Sequence, residues 1–102
     1  MSKVLVIGGS GFLGSHVSDV LTNKGHEVYI FDLVKSKYLL PNQKMIIGDI
    51  LNKDLIDQSI EKVDYVYHFA AIADIKEAKD NPINSARFNI IGTLNILDAC
   101  VK

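Results

Sequence analysis

The feature that most constrains this chain is a glycine-rich segment, Gly8-Gly9-Ser10-Gly11-Phe12-Leu13-Gly14, that separates two different apolar patterns. Before it, Val4–Ile7 is a continuous apolar run rich in β-branched residues, which is typical of a strand buried on both faces of a parallel sheet. After it, apolar residues recur at helical spacing until Gly25, which predicts a helix over about residues 13–24. The periodic residues are Leu13, Val17, Val20 and Leu21. The chain is therefore expected to begin with a strand, a turn with few side chains, and a helix.

Glycines in this setting predict a phosphate site. Gly8 permits the tight turn out of the strand, Gly11 lets the backbone approach a pyrophosphate, and Gly14 lets the helix pack onto the sheet. The helix N-terminus would present the backbone N–H groups of Phe12 and Leu13 and the positive end of its dipole. A tight strand-to-helix turn that binds no ligand remains the alternative.

Two other interpretations of the segment fail on residue identity. Gly9 and Gly14 have the spacing of a Walker A loop, but Ser15 stands where that loop requires its lysine. Phe12 stands where the nucleophile elbow of hydrolases requires a glycine. Ser10 is therefore interpreted as a turn residue rather than a nucleophile.

An acidic residue stands where a dinucleotide-binding fold requires one. The run Glu27–Asp32 predicts a second strand, and Asp32 ends it 18 residues after Gly14. A carboxylate at this place can accept hydrogen bonds from the adenosine ribose hydroxyls and would repel a 2′-phosphate. NAD is thus favoured as the cofactor over NADP, although Lys35 and Lys37 nearby keep NADP open as the alternative.

The remaining patterns continue the alternation of strands and helices. Lys44–Ile47 predicts a third strand, Asn52 is a candidate N-cap for a short helix, and the run from Asp64 to Ala71 predicts a fourth strand. A long helix is expected to begin near Pro82. The apolar positions of the short helix are Leu55, Ile56, Ile60 and Val63, and the predicted buried stripe of the long helix is Ile90, Ile91, Leu94, Leu97 and Val101.

This alternation predicts an α/β fold, a Rossmann-type doubly wound parallel sheet that is incomplete at about four strands. The expected strand order is three, two, one, four, with the cofactor crevice where the order reverses, between strands one and four. The fourth strand would then be an unpaired apolar edge, which favours a dimer or higher homo-oligomer.

Composition narrows the class of protein. The 102 residues suffice for one domain, and the formal net charge of −1 argues against a nucleic-acid or membrane-surface binder. Cys100 is the single cysteine, and the apolar N-terminal run is too short for a signal peptide or a membrane span. His16 and His26 are too scattered for a metal site. A cytoplasmic protein is the expectation.

Four segments in order resemble the extended short-chain dehydrogenases/reductases, also called the NAD-dependent epimerase/dehydratase family. They are the glycine segment Gly8–Gly14, Gly48-Asp49-Ile50, His68-Phe69-Ala70-Ala71 and Asn89-Ile90-Ile91-Gly92-Thr93. The resemblance spans essentially the whole chain. It implies the Rossmann fold, NAD as cofactor and a nucleotide sugar as substrate.

The resemblance also implies roles for residues outside the glycine segment. Asp49 and the backbone of Ile50 would hold the adenine, which the place of Asp49 directly after a buried strand favours over simple capping of the following turn. Phe69, Ala70 and Ala71 would lie along the cofactor, with the two alanines on its nicotinamide side. Asn89 would hold a water or bend the helix near the active site, or serve as a structural amide that bonds the neighbouring strand. His68 is expected to be structural rather than catalytic.

Members of the family carry a Tyr-x-x-x-Lys pair, in which a tyrosinate takes the hydroxyl proton of the sugar as the hydride leaves. None of the four tyrosines here is followed by lysine four positions later, so no catalytic residue is assigned. The chain is expected to be the N-terminal part of an NAD-binding domain that lacks the catalytic and substrate part and turns over nothing alone. The alternatives are a non-catalytic nucleotide-binding or redox-sensing module and a fragment that binds nothing tightly.

Overall fold

A computed structural model describes residues 2–37, 39–69 and 82–101, and for residues 85, 86 and 88 the backbone only. The elements are β1 (Lys3–Ile7), α1 (Phe12–Asn23), β2 (Glu27–Asp32), β3 (Lys44–Ile47), α2 (Lys53–Glu61), β4 (Tyr65–His68) and α3 (Pro82–Cys100). None of the described helices combines the length and apolar character needed to cross a bilayer.

The four strands form one parallel sheet in the order β3-β2-β1-β4, which confirms the predicted fold class and strand order. In the central strand, Val4 lies between Val28 of β2 and Tyr65 of β4. All four apolar residues of this strand are at most 2% exposed, because both faces of the sheet are covered. The continuous apolar run in the sequence reflects this double burial.

Each face of the sheet has its own core. Leu5 and Ile7 point to the side of α2 and α3, where they pack with Phe31, Ile56 and Ile96 among others. Val4 and Val6 point to the other side, where Leu21 of α1 packs against them. The helices therefore lie on both faces, as a doubly wound sheet requires.

Small residues bring α1 close to the sheet. Its buried residues are Gly14, Ser18 and Thr22, whereas Leu13 and Val20 are more than half exposed. The Ser18 hydroxyl donates to the carbonyl oxygen of Gly14 at 2.7 Å, and the Thr22 hydroxyl donates to that of Ser18 at 2.8 Å. Both buried hydroxyls are thus satisfied within the helix.

The predicted buried stripe of the long helix is wrong. Its members are between 44% and 82% exposed, and the residues that pack are Gly92, Ile96 and Ala99. The sequence pattern misled because α3 has apolar residues on more than one face, and the face with the small residues approaches the sheet. A Cβ at Gly92 would overlap Cδ1 of Ile50, so contact at this point requires glycine.

The other element predictions need little change. Asn52 caps α2 as predicted, with its side-chain oxygen accepting from the N–H of Leu55 at 3.2 Å. The fourth strand is shorter than predicted and runs from Tyr65 to His68. Beyond it, the N–H of Phe69 still donates to the carbonyl oxygen of Ile7 at 2.7 Å, while Ala70 and Ala71 lie outside the described residues.

Candidate functional site

The candidate site begins with the turn that leaves β1. The N–H of Gly8 donates to the carbonyl oxygen of Phe31 at 2.7 Å, so the end of β1 stays fixed to β2. Gly8 itself has a φ of 84°, a left-handed conformation that side chains other than glycine rarely adopt. The N–H of Gly11 then donates to the carbonyl oxygen of Gly8 at 3.2 Å and closes the turn.

The other glycines of the turn differ in what surrounds them. A Cβ at Gly14 would overlap the carbonyl oxygen of Gly8, and a Cβ at Gly9 would lie 2.6 Å from Cγ2 of Ile30. These two glycines are required by the packing of the chain itself. A Cβ at Gly11 would make only an ordinary contact of 3.5 Å, so nothing in the described structure requires glycine there. Its missing side chain instead leaves the outer surface of the turn open.

The start of α1 has the character of an anion site. Gly11 is the N-cap and offers no side chain to the first helical N–H groups, and the first turn contains no acidic residue. No side chain of the first turn therefore compensates the positive end of the helix dipole. Phe12 is 84% exposed, so the helix N-terminus faces outward. A phosphate can approach these amides directly.

Asp32 lies beside this turn. Its Oδ2 accepts a hydrogen bond from the N–H of Ser10 at 3.0 Å, and its Oδ1 accepts one from the N–H of Leu33 at 2.7 Å. The two bonds hold the carboxylate in one orientation against the glycine turn. Since each carboxylate oxygen can accept more than one hydrogen bond, Asp32 keeps acceptor capacity for ligand hydroxyls.

The segment after β3 reaches the same edge of the sheet. The N–H of Gly48 donates to the carbonyl oxygen of Asp32 at 2.9 Å. Oδ1 of Asp49 accepts from the N–H of Leu51 at 2.9 Å, which is the turn-capping arrangement left open by the sequence. Ile50 is 2% exposed, so its side chain belongs to the core and only its backbone can face a ligand.

Asn95 is a residue that sequence reasoning missed. Its Nδ2 donates to the carbonyl oxygen of Ile50 at 3.0 Å and so holds the segment after β3 from across the structure. The available signal was a single amide within an apolar stretch of α3. Asn89, which was assigned a role, lies half-buried earlier on the same helix.

The end of β4 completes the edge. Nε2 of His68 lies 3.1 Å from the hydroxyl oxygen of Thr93, and burial lowers the pKa of His68. Among the described residues, Nδ1 of His68 is buried and has no hydrogen-bond partner. The structural role of His68 stays a prediction, and its contact with Thr93 links the end of β4 to α3.

The topology gathers most of the predicted residues at one place. Ile7 is paired with Phe31 and with His68, and Asp32 is paired with Ile47, so all four strands end at nearly the same level. The glycine turn, Asp32, Asp49 and Phe69 therefore share the carboxyl edge of the sheet. The order of the strands reverses at β1 and β4, which is where open parallel sheets bind their ligands.

Known proteins are similar to this chain in sequence and in fold. The UDP-N-acetyl-alpha-D-glucosaminuronate decarboxylase of Bacillus cytotoxicus is 38% identical, over 98% of this chain and 33% of its own length. The UDP-glucose 4-epimerase of Thermotoga maritima, solved with UDP-glucose, is 33% identical with a TM-score of 0.89, over 97% of this chain and 34% of its own. That of Thermus thermophilus, a complex with NAD, is 32% identical with a TM-score of 0.87, over 96% and 33%.

The present chain thus spans about a third of the length of these relatives. A family model described as the NAD dependent epimerase/dehydratase family matches residues 4–102. On that match, which covers nearly every residue, the chain belongs to the NAD-dependent epimerase/dehydratase family.

Proposed function

We propose that this chain binds NAD and is the nucleotide-binding portion of an enzyme that acts on a nucleotide sugar. The observation that carries the proposal is the contact between the glycine turn and Asp32, whose Oδ2 accepts from the N–H of Ser10 at 3.0 Å. This contact places an uncapped helix N-terminus and a fixed carboxylate side by side. A pyrophosphate linked to a ribose requires these two groups at neighbouring positions.

The pyrophosphate would lie over the turn. The N–H groups of Phe12 and Leu13, at the uncapped start of α1, would donate to its oxygens. Gly8 allows the tight turn, and Gly14 allows α1 to pack closely against that turn. Gly11 leaves the outer surface of the turn open for the phosphates. The fit is supported by the open position at Gly11, which the packing of the protein does not explain.

The ribose would lie against Asp32. The carboxylate can accept hydrogen bonds from the two ribose hydroxyls, and its negative charge would repel a 2′-phosphate. The Ser10 and Leu33 N–H groups fix the orientation of this carboxylate, which lowers the entropy lost on binding.

The other assigned residues would hold the two ends of the cofactor. Asp49 and the backbone of Ile50 would bind the adenine at the end of β3. Phe69, Ala70 and Ala71 would follow the cofactor toward its nicotinamide. Asn89 would act from α3, near the same end.

When bound, NAD would supply a hydride acceptor for the sugar alcohol and, in an epimerase, return the hydride to the opposite face. Residues 1–102 would bind and orient the cofactor. None of them is a tyrosine with a lysine four positions later, so none is assigned to move the sugar proton. The contribution proposed for residues 1–102 is therefore cofactor binding. The residues that bind the sugar and the residues that transfer its proton would belong to the rest of a full-length enzyme.

Calorimetric titration of the chain with NAD and with NADP tests this proposal. We expect NAD to bind more tightly, and we expect Asp32→Asn to reduce the ratio of the two affinities by about tenfold or more, since the variant lacks the repelling charge. Asp64→Asn is the matched control, because Asp64 also accepts a backbone N–H, from Lys3 at 2.9 Å, but lies at the opposite edge of the sheet. A chain that binds neither dinucleotide, or that prefers NADP, would contradict the proposal.

A further inference from the structure

Ser10 makes one hydrogen bond to the last residue of β2 and one to the segment that follows it. Its N–H donates to Oδ2 of Asp32 at 3.0 Å, and its hydroxyl donates to the carbonyl oxygen of Val34 at 2.7 Å. The first bond orients the proposed ribose acceptor. The second has no role in the proposed contacts with the cofactor, although at 2.7 Å it is a well-formed bond between two loops.

The hydroxyl bond fixes the path of a segment that carries positive charge. Lys35 follows Val34 directly and Lys37 lies two residues further on, and both are exposed. The far end of this segment is held by Gln43, whose Nε2 donates to Oδ1 of Asp19 at 3.1 Å and to the hydroxyl oxygen of Thr22 at 2.9 Å. The bond from Ser10 to Val34 therefore holds the near end, close to Asp32.

The same bond also sets the electrostatics beside Asp32. It turns the carbonyl oxygen of Val34 toward the glycine turn, where the Oδ2 atom of Asp32 already points. Two oxygens that carry negative charge or partial charge thus face the turn, while the lysines remain on the exposed continuation of the loop. A phosphate on the 2′ position of a ribose held by Asp32 would be repelled by these oxygens.

We propose that Ser10 is a positioning residue for cofactor selection and that it acts through its hydroxyl. By holding the Val34 carbonyl, it keeps residues 33–37 in a path that disfavours a 2′-phosphate and so strengthens the preference for NAD over NADP. The inference rests on the proposed function. It assigns to Ser10 a part of the selectivity that Asp32 would otherwise provide alone.

The test compares the NAD and NADP affinities of Ser10→Ala, Ser10→Gly and Ser10→Thr by calorimetry. Loss of one hydrogen bond predicts that Ser10→Ala and Ser10→Gly narrow the ratio of the two affinities by about fivefold. Ser10→Thr keeps a hydroxyl and should therefore keep the ratio of the unaltered chain. A merely structural loss would weaken both dinucleotides alike and leave the ratio unchanged.

Two further variants make the test specific. Ser59→Ala removes another hydroxyl that donates to a carbonyl oxygen, that of Leu55 at 2.7 Å, and should leave the ratio unchanged. Adding Lys35→Ala and Lys37→Ala to Ser10→Ala should restore the ratio, because the lysines are the groups that would reach a 2′-phosphate once the loop is released.

The outcomes separate this inference from the proposed function. If the unaltered chain binds neither dinucleotide, or prefers NADP, the proposed function fails and this inference fails with it. If the unaltered chain prefers NAD, and Ser10→Ala and Ser10→Gly both keep the ratio of NAD to NADP affinity within about twofold of that of the unaltered chain, only this inference is overturned. Thermal unfolding of each variant confirms that the ratio is measured on folded protein.

Discussion

The glycines of the turn differ in what an added side chain would meet, and that difference separates packing from binding. Gly14 faces the carbonyl oxygen of Gly8 with no room for a methyl group, whereas a methyl group at Gly11 would make one ordinary contact of 3.5 Å. Gly11 also has a φ of −77°, which any residue adopts. The sequence motif predicts packing at Gly14 and close approach of a ligand at Gly11, and the structure adds the contacts that make Gly14 necessary.

Gly11→Ala and Gly14→Ala should therefore fail in different ways. Gly11→Ala should change the free energy of unfolding by no more than about 1 kcal/mol and weaken NAD binding at least about tenfold, because the methyl group occupies the phosphate surface. Gly14→Ala should lower the free energy of unfolding by about 2 kcal/mol through overpacking. Urea unfolding and calorimetry measure the two effects, with Asn23→Ala at the exposed far end of α1 as the control. Undiminished NAD binding by Gly11→Ala would contradict the assignment of the phosphate site.

His68 should make stability depend on pH. Burial lowers its pKa in the folded chain, so the unfolded chain takes up this proton at a higher pH than the folded chain does. The contribution of His68 to stability should be complete above about pH 7 and decrease as the pH falls through about 6.5. His68→Gln puts an amide nitrogen that does not titrate in place of the imidazole nitrogen near the Thr93 hydroxyl. It should flatten this part of the curve of stability against pH. Urea unfolding from pH 8 to pH 5 measures it, and equal slopes in both proteins would exclude the effect.

At the scale of elements, α3 holds the ends of two strands in the candidate site. Thr93 contacts His68 at the end of β4, and Asn95 donates to the carbonyl oxygen of Ile50 after β3. Gly92 lies against the side chain of the same Ile50. The segment Asn89-Ile90-Ile91-Gly92-Thr93, known from the sequence only as a family resemblance, thus contains residues with a physical reason for their identity.

The contact at Gly92 leads to a prediction about packing. Gly92→Ala gains about 1 kcal/mol of helix propensity, but overpacking against the buried Ile50 costs about 1–3 kcal/mol. We expect a net loss of about 1 kcal/mol in the free energy of unfolding. In an Ile50→Ala background the clash is relieved, and the same substitution should be neutral or stabilising. Urea unfolding of the four proteins gives the coupling, and an equal effect in both backgrounds would show that Ile50 does not set the limit.

The sequence predicted the elements better than it predicted the faces they bury. Each strand and helix was placed to within a few residues, because runs such as Val4–Ile7 have a distinctive apolar pattern. The stripe on α3 was wrong, since periodicity finds apolar faces but does not show which of them meets the sheet. Hydrogen bonds between distant segments, such as those of Ser10 and Asn95, depend on the final fold and leave no local pattern in the sequence.

At the scale of the whole molecule, the sheet and α3 both leave apolar surface exposed. In the described part of the chain, β4 is an edge strand whose Tyr65 is 61% exposed. The outer face of α3 carries Ile90, Leu94 and Leu97, each more than half exposed. Large apolar patches of this kind favour association in water.

We therefore expect the isolated chain to self-associate. Light scattering at increasing protein concentration should give a mass above that of one chain, which is 11.3 kDa. The double substitution Leu94→Gln and Leu97→Gln should shift the distribution toward monomer without unfolding the chain, because neither side chain is in the core. A monomer at all concentrations in the unaltered chain would contradict the expectation.

The central place of β1 also governs the order in which the chain can fold. Val4 pairs with Tyr65, which lies about 60 residues later in the chain. Until β4 pairs with it, β1 has a neighbouring strand on one side only, and the sheet edge at the glycine turn is incomplete. Contacts so distant along the chain slow folding, because a large loop must close before they form. The turn proposed to bind the pyrophosphate thus depends on contacts between segments that lie far apart along the chain.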